Sequence, residues 1–203
     1  MKVDLVDAGL FLLAATVLLG SPGPGIAALV AVGRGRGFVR SLKFYAGLQV
    51  GLAVAASICA AGLFSLIRSV PHALGAMSVL AAAYLAVLAW KIATAPVKPA
   101  NGADAGAFAE TAPAGFLLGV TNPKAYVAIL SLLASYTLIR SDHGFDTALK
   151  LALCVAVIVV VDIVWLGFGA AIGRARPPPR TERVINVAMG ATILATAVFE
   201  IAR

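Results

Sequence analysis

Leu18-Leu19-Gly20-Ser21-Pro22-Gly23-Pro24-Gly25 lies inside one long apolar stretch, and Leu117-Leu118-Gly119-Val120-Thr121-Asn122-Pro123-Lys124 lies inside another, 99 residues further on. Both read Leu-Leu-Gly with a proline four residues after the glycine. Proline removes a backbone donor and clashes with the preceding turn, costing about 3 kcal/mol in a helix interior. The run Pro22-Gly23-Pro24-Gly25 therefore predicts an unwound segment rather than a mere kink. In a membrane chain, such breaks at corresponding positions of two halves are the best sequence pointer to a transport site.

The surroundings of both segments predict a bilayer. The chain of 203 residues is 61% hydrophobic and 12% charged, and its mean hydropathy is +0.98. A soluble domain carries about 25% charged residues. Residues 8–33, 44–67, 73–90 and 184–199 hold no Asp, Glu, Lys or Arg; residues 111–139 hold only Lys124, and residues 151–173 only Asp162. A span needs about 20 apolar residues. These runs predict an all-α membrane protein of six transmembrane helices, the last one short and extended by snorkelling of the Glu200–Arg203 end. The first run reads as a span rather than a signal peptide, because Met1-Lys2-Val3-Asp4 brings little positive charge and no small-residue cleavage site follows a short apolar core. Cys59 and Cys154 sit singly in separate spans and read as packing residues, with no disulfide or metal framework.

The net charge of +7 does not point to nucleic acid, because its distribution follows the spans. The termini and the even-numbered loops (2–3 and 4–5) hold Lys2, Arg68, Arg140, Lys150 and Arg203, five in all. The 1–2, 3–4 and 5–6 loops hold Arg34, Arg36, Arg40, Lys43, Lys91, Lys98, Arg174, Arg176, Arg180 and Arg183, ten in all. Cytoplasmic loops carry the excess, so both termini are expected on the periplasmic side, with the basic loops against anionic headgroups. The Pro- and Ala-containing middle divides the chain into residues 1–95, a linker at 96–112 and residues 113–203. Three spans per half is an odd number, so the halves are expected as inverted repeats with helices 1 and 4 broken. Gly33-Arg34-Gly35-Arg36-Gly37 reads as a flexible basic loop, since it lacks the strand and full glycine spacing of a phosphate loop. Arg174–Arg180, with Pro177, Pro178 and Pro179, reads as a stiff basic turn.

Pro24 and Pro123 each start a new half-helix. The amides that follow lack internal partners, and the dipole makes that end positive. Both ends are expected near the membrane middle, where they favour a substrate carboxylate. Lys124 and Asp162 are expected to be the only ionisable groups deep within spans, and an intramembrane charge is a functional candidate by default. Their alternative is a structural ion pair. Gln49 and Asn122 are uncharged candidates for the cavity wall, with an interhelical hydrogen bond as the alternative for Gln49. Tyr126 and Tyr84 fit either a pocket or an interface belt, and Tyr45 a belt. His72 and His143 are expected in solvated outer loops. The expected substrate site is thus Pro22, Gly23, Pro24, Gly25, Gln49, Asn122, Pro123, Lys124 and Tyr126.

These residues resemble the lysine exporter / homoserine–threonine resistance family of amino-acid exporters, the LysE-type translocators. The matching pieces are Ser21-Pro22-Gly23-Pro24-Gly25 with Gly33 and Gly37, Ala46-Gly47-Leu48-Gln49-Val50-Gly51-Leu52, and Ala82-Ala83-Tyr84-Leu85 before Trp90-Lys91. Gly115-Phe116-Leu117 leading to Thr121-Asn122-Pro123-Lys124, and Val161-Asp162, complete the series in order. The resemblance implies a six-helix bacterial inner-membrane protein that exports small amino acids in exchange for protons; Asp162, as an intramembrane carboxyl, is the candidate for proton coupling. The family's commoner pattern has Asn after Pro-Gly-Pro, where this chain has Gly25, a difference that bears on substrate identity rather than fold. The implied partners are a small amino acid, protons and the lipid bilayer; oligomeric state is open, a homodimer included.

Three other readings compete. A cation or heavy-metal exporter of related architecture needs further carboxylate, His or thiolate ligands in the spans, and only Asp162 with two separated cysteines is available. An intramembrane enzyme needs paired cysteines or a His-Glu cluster, and the sequence has neither, so neither enzyme chemistry nor a cofactor is expected. A non-transporting membrane scaffold remains, and it would be indifferent to the loss of Asp162.

Overall fold

The protein was analysed as a computed structural model that describes residues 3–21, 23–62, 111–175 and 178–201, together with 79, 83, 86, 87, 89, 90, 93 and 94. Pro22, His72, Tyr84, most of the expected third span and the linker up to residue 110 lie outside the described residues. Among the described residues there are seven continuous helices and no strand. They are α1 (Leu5–Gly20), α2 (Pro24–Arg36), α3 (Phe38–Ala60), α4 (Ala112–Val120), α5 (Pro123–Ser135), α6 (His143–Arg174) and α7 (Pro179–Ile201).

The helices α3 and α6 are each long and apolar enough to cross a bilayer. The pair α1 and α2 meets that test as one broken span bent by 62°, and α4 with α5 as a second one bent by 52°. The described residues thus hold up to four of the six expected spans. Helix α7 falls at the place of the sixth span, but Arg180 and Arg183 in its opening turns leave a shorter apolar part. Both breaks fall where the prolines stand. Pro24 and Pro123 are the first residues of their helices, where the missing N–H costs nothing and the fixed φ is already helical.

Side-chain caps define other helix starts. Asp4 accepts from Val6 N at 3.2 Å and Asp7 N at 3.3 Å, Thr111 from Ala114 N at 3.3 Å, and Asp142 from Phe145 N at 3.0 Å. The segment 33–37 is not the flexible loop that its composition predicts. Gly33 to Arg36 form the last turn of α2, and the chain enters α3 through the single residue Gly37 at φ 76°. Only glycine takes that conformation without a Cβ penalty.

Glycine seams set the packing. On α3, Gly47 and Gly51 face Gly115 and Gly119 on α4, and the backbones touch. A Cβ on Gly47 would collide with the Ala112 carbonyl, one on Gly115 with the Phe44 carbonyl, and one on Gly119 would stand 2.7 Å from Leu48 O. A second seam joins α2 to α6. There a Cβ on Gly33 would stand 2.6 Å from Leu166 O, and side chains on Gly169 and Gly173 would strike the carbonyls of Val30 and Arg34. Small residues allow such approaches, and in lipid close packing replaces the hydrophobic drive between helices. Around the seams a core gathers Leu29, Phe44, Leu48, Leu118, Ile129 and Leu166. A smaller cluster of Phe11, Leu132, Leu138, Ile139 and Cys154 ties α1 to the α5–α6 turn. Cys59 and Cys154 are free and buried, as packing residues are.

The half-buried Lys124 and the buried Asp162 are not the only ionisable groups inside the helices. Asp146 and Lys150 lie on the first turns of α6, 1% and 3% exposed, and their side chains pair at 2.7 Å. Lys150 Nζ also donates to Leu133 O and Tyr136 O, both at 2.8 Å. Asp146 Oδ1 accepts from Leu138 N at 2.6 Å and Ile139 N at 2.8 Å. The pair thereby closes the C-terminal end of α5 and the turn after it. Lys150 reads as a loop residue because α6 is longer than a bilayer requires: its 32 residues rise about 48 Å against a hydrocarbon core of about 30 Å. His143 is exposed, as expected, but it is the first residue of α6 rather than part of a loop.

Candidate functional site

The two breaks meet. Between them lies a cavity of about 40 Å³ whose lining includes Ser21, Gly23, Gly25, Asn122, Lys124 and Asp162. The polar side is supplied by the two unwound segments and by α6. Leu18, Leu19, Ile26, Leu52, Ala128 and Ile158 form the apolar side. That volume is enough for a few waters.

The break in α1–α2 exposes carbonyls at the end of α1, and these must find protein partners in lipid. They do so from across the bundle. Trp165 Nε1 on α6 donates to Gly20 O at 3.2 Å. Lys124 Nζ, from the start of α5, donates to the Ser21 carbonyl and to Ser21 Oγ, the latter at 2.8 Å. A cation at a helix C-terminus is also favoured by the dipole. Gly23 makes this possible, because a Cβ there would stand 2.7 Å from Lys124 Cδ and 2.9 Å from its Nζ. The lysine side chain lies flat over the bare backbone.

Asp162 is 5% exposed and accepts from Gln49 Nε2 on α3 at 2.8 Å. The two charges thus face one cavity with different partners, Gln49 for the anion and Ser21 for the cation. One turn away from Gln49, Tyr45 donates its hydroxyl to Val159 O of α6 at 3.0 Å, so it bridges two helices instead of serving only as a belt residue. Asn122 is 7% exposed and occupies the N-cap of α5, yet it makes no side-chain cap bond there. Its Oδ1 is buried without a hydrogen-bond partner. The N-terminus of α2 also has no side-chain cap.

Of the residues expected at the site, Gly23, Gly25, Asn122, Lys124 and Asp162 line the cavity. Gln49 stands behind Asp162 as its donor. Pro24 and Pro123 set the helix starts, and Tyr126 is 2% exposed in the adjoining core. Pro22 lies outside the described residues. Sequence reasoning missed Ser21, Trp165 and the apolar wall. Their signals are spacings: Ile158 and Trp165 lie four before and three after Asp162, on its helix face, and Leu52 lies three after Gln49.

A profile of the LysE type translocators matches residues 16–202. The chain belongs to this family. Members of this family are translocators rather than enzymes, and the described residues of this chain hold up to four candidate membrane spans. Among curated relatives, it is similar to the cysteine/O-acetylserine efflux protein of Salmonella typhimurium, 36% identical over 81 residues, which are 40% of this chain and 42% of that protein. It is likewise similar to the protein of the same name from Escherichia coli K12, 37% identical over 78 residues, 38% of this chain and 40% of that one. The matched stretch therefore spans about two fifths of these relatives' length. No solved structure matches the chain.

Proposed function

We propose that this translocator is a secondary exporter of small amino acids or similar zwitterions across the bacterial inner membrane, driven by proton exchange. The observation that carries the reading is the cavity where two broken helices meet, with a half-buried cation, Lys124, and a buried anion, Asp162, among the described residues of its wall. A cavity of balanced charge suits a net-neutral molecule with two charged ends. The carboxylate goes to the uncapped end of α2 and that of α5, with Lys124 adding charge, and the ammonium goes to Asp162. The names of the curated relatives, which are efflux proteins for cysteine and O-acetylserine, agree with that size and charge. Asp162 is the group that takes the counter-moving proton, since it is the one carboxyl among the described residues of the cavity wall. Six spans in two inverted halves, both termini periplasmic, complete the architecture, supported by paired breaks at matching positions.

Counterflow in proteoliposomes tests this reading. Preloaded small amino acids are expected to exchange with external label, faster when a pH gradient is imposed, and the decarboxylated amine of the same substrate is expected to bind at least about tenfold more weakly because two positive helix ends stay unpaired. Equal affinities for amino acid and amine would remove the carboxylate role from the helix ends. Failure to exchange any small zwitterion would overturn the function itself.

A further inference from the structure

The end of α1 presents acceptors, because the last carbonyls of a helix have no intrahelical partner. Donors from elsewhere satisfy part of this set. Trp165 Nε1 serves Gly20 O, and the Ser21 hydroxyl donates to Leu18 O at 3.0 Å. That bond uses the hydroxyl's one proton, so Ser21 Oγ only accepts from its other side. Facing it and the Ser21 carbonyl is the Lys124 ammonium, with Nζ 2.8 Å from Oγ. A carbonyl, a hydroxyl lone pair and the negative end of a helix dipole thus converge on one point. Nothing in that set donates, so it accepts a cation and refuses an anion.

Two observations mark this point as an ion seat. Unwound carbonyls and half-helix C-termini at the middle of a transporter are ligands for free cations. The room for an ion is also kept clear at Gly23, where a Cβ would stand 2.9 Å from Lys124 Nζ and 2.7 Å from its Cδ. The carboxylate of Asp162 and space for water lie on the same cavity. Lys124 enters from α5, beyond the other break. Its stem is a tether and its head takes the place of an ion.

We infer that Ser21 and the unwound end of α1 form a site for a small monovalent cation, which the Lys124 ammonium fills as a tethered occupant. Alkali ions and short alkylammonium ions share the chemistry the seat requires: one positive charge, a small radius and affinity for oxygen acceptors. The inference goes beyond the exporter reading and holds whether or not a zwitterion is carried. Its consequence for that reading is that the chain brings its own cation to the break, so sodium finds the seat taken.

Shortening the tether exposes the seat. The purified whole chain is melted in sodium chloride, in methylammonium chloride and, as the oversized control, in choline chloride at equal ionic strength. Lys124→Ala is expected to melt at least about 3 °C higher in sodium or methylammonium than in choline, with a saturable dependence on the cation. The wild type is expected to melt alike in all three. Adding Ser21→Val to Lys124→Ala should raise the cation concentration required at least about tenfold, because an acceptor facing a charge is gone. A Lys124→Ala protein indifferent to both small cations overturns the inference. So does a wild type that gains as much, or a double variant with an unchanged response, since the ion then binds elsewhere. If Lys124→Ala does not fold in choline, recovery of folded protein in sodium or methylammonium becomes the readout, and no recovery overturns the inference. No amino acid enters the measurement. A missing cation response therefore leaves the exporter reading standing, and a chain that exchanges no zwitterion leaves the seat standing.

Discussion

Asp162 and Lys150 are both buried charges on α6, and the company each keeps separates their roles. Lys150 has three oxygen acceptors, and its partner Asp146 has two backbone donors besides. Every bonding position that matters is filled, so the pair is structural. Removing one partner of such a pair leaves an uncompensated charge and costs about 3–5 kcal/mol. Lys150→Met is thus expected to lower the unfolding midpoint in detergent sharply, while Asp146→Asn together with Lys150→Met recovers part of the loss. A single variant that melts like wild type would show the pair to be dispensable. Asp162 has one neutral donor, Gln49, and faces a cavity. Asp162→Asn keeps the shape and can still bond Gln49, so it is expected to insert and fold normally while export loses its dependence on the pH gradient. Wild-type pH dependence in that variant would move the coupling site elsewhere. Both charges of the cavity were legible in the sequence, because a lone Lys or Asp in an apolar run stands out. The Asp146–Lys150 pair was not: it lies near a span's end, where charges are common, and its burial depends on the turn folding back over it.

At the scale of elements, the breaks were legible and the seams were not. Proline and glycine act through local backbone chemistry, so Pro24 and Pro123 mark helix starts whatever surrounds them. The seams depend on which helices meet. Gly47 and Gly51, or Gly115 and Gly119, are small residues four apart in the sequence, but their meaning appears only when α3 lies against α4. The same dependence misled the reading of residues 33–37, where Gly33, which suggests flexibility, instead lets α2 touch α6. The seams carry a prediction about stability. Helix α4 is locked to α3, and α5 packs on the same α3 while Lys150 ties its end to α6, so both sides of the two-residue break at Thr121 and Asn122 rest on α3. Gly115→Val should separate α4 from α3 and cost more than the roughly 1–3 kcal/mol of ordinary overpacking, because the obstacle is backbone. Gly35→Val, at a site with nothing within 4 Å, should be neutral or stabilising by less than about 1 kcal/mol, because valine is a better helix former than glycine. Size-exclusion profiles and melting midpoints of the two variants check the contrast, and equal behaviour would deny the seam its role.

For the whole molecule, the packing sorts the chain's charged turns onto two ends. Gly173 meets the backbone of Arg34, so the α2–α3 turn and the end of α6 share one end, and Arg36, Arg40, Lys43 and Arg174 gather there. At the other end Asp4 N donates to Leu138 O at 2.9 Å, and Asp4 lies 3.8 Å from Arg140. The start of the chain and the α5–α6 turn therefore sit together. Lys150, one of the five basic residues assigned to this second end, is buried and paired with Asp146, so the exposed basic bias between the ends is steeper than the sequence count suggests. Lysine and arginine hold cytoplasmic loops in place, and the Arg34 end is accordingly expected inside, with the Asp4 end in the periplasm. Single cysteines at exposed positions test this directly, since Cys59 and Cys154 are buried. Ser141→Cys should react in intact cells with a membrane-impermeant maleimide, whereas Gly35→Cys and Ala175→Cys should react only after the membrane is opened. The reverse pattern would invert the protein in the membrane.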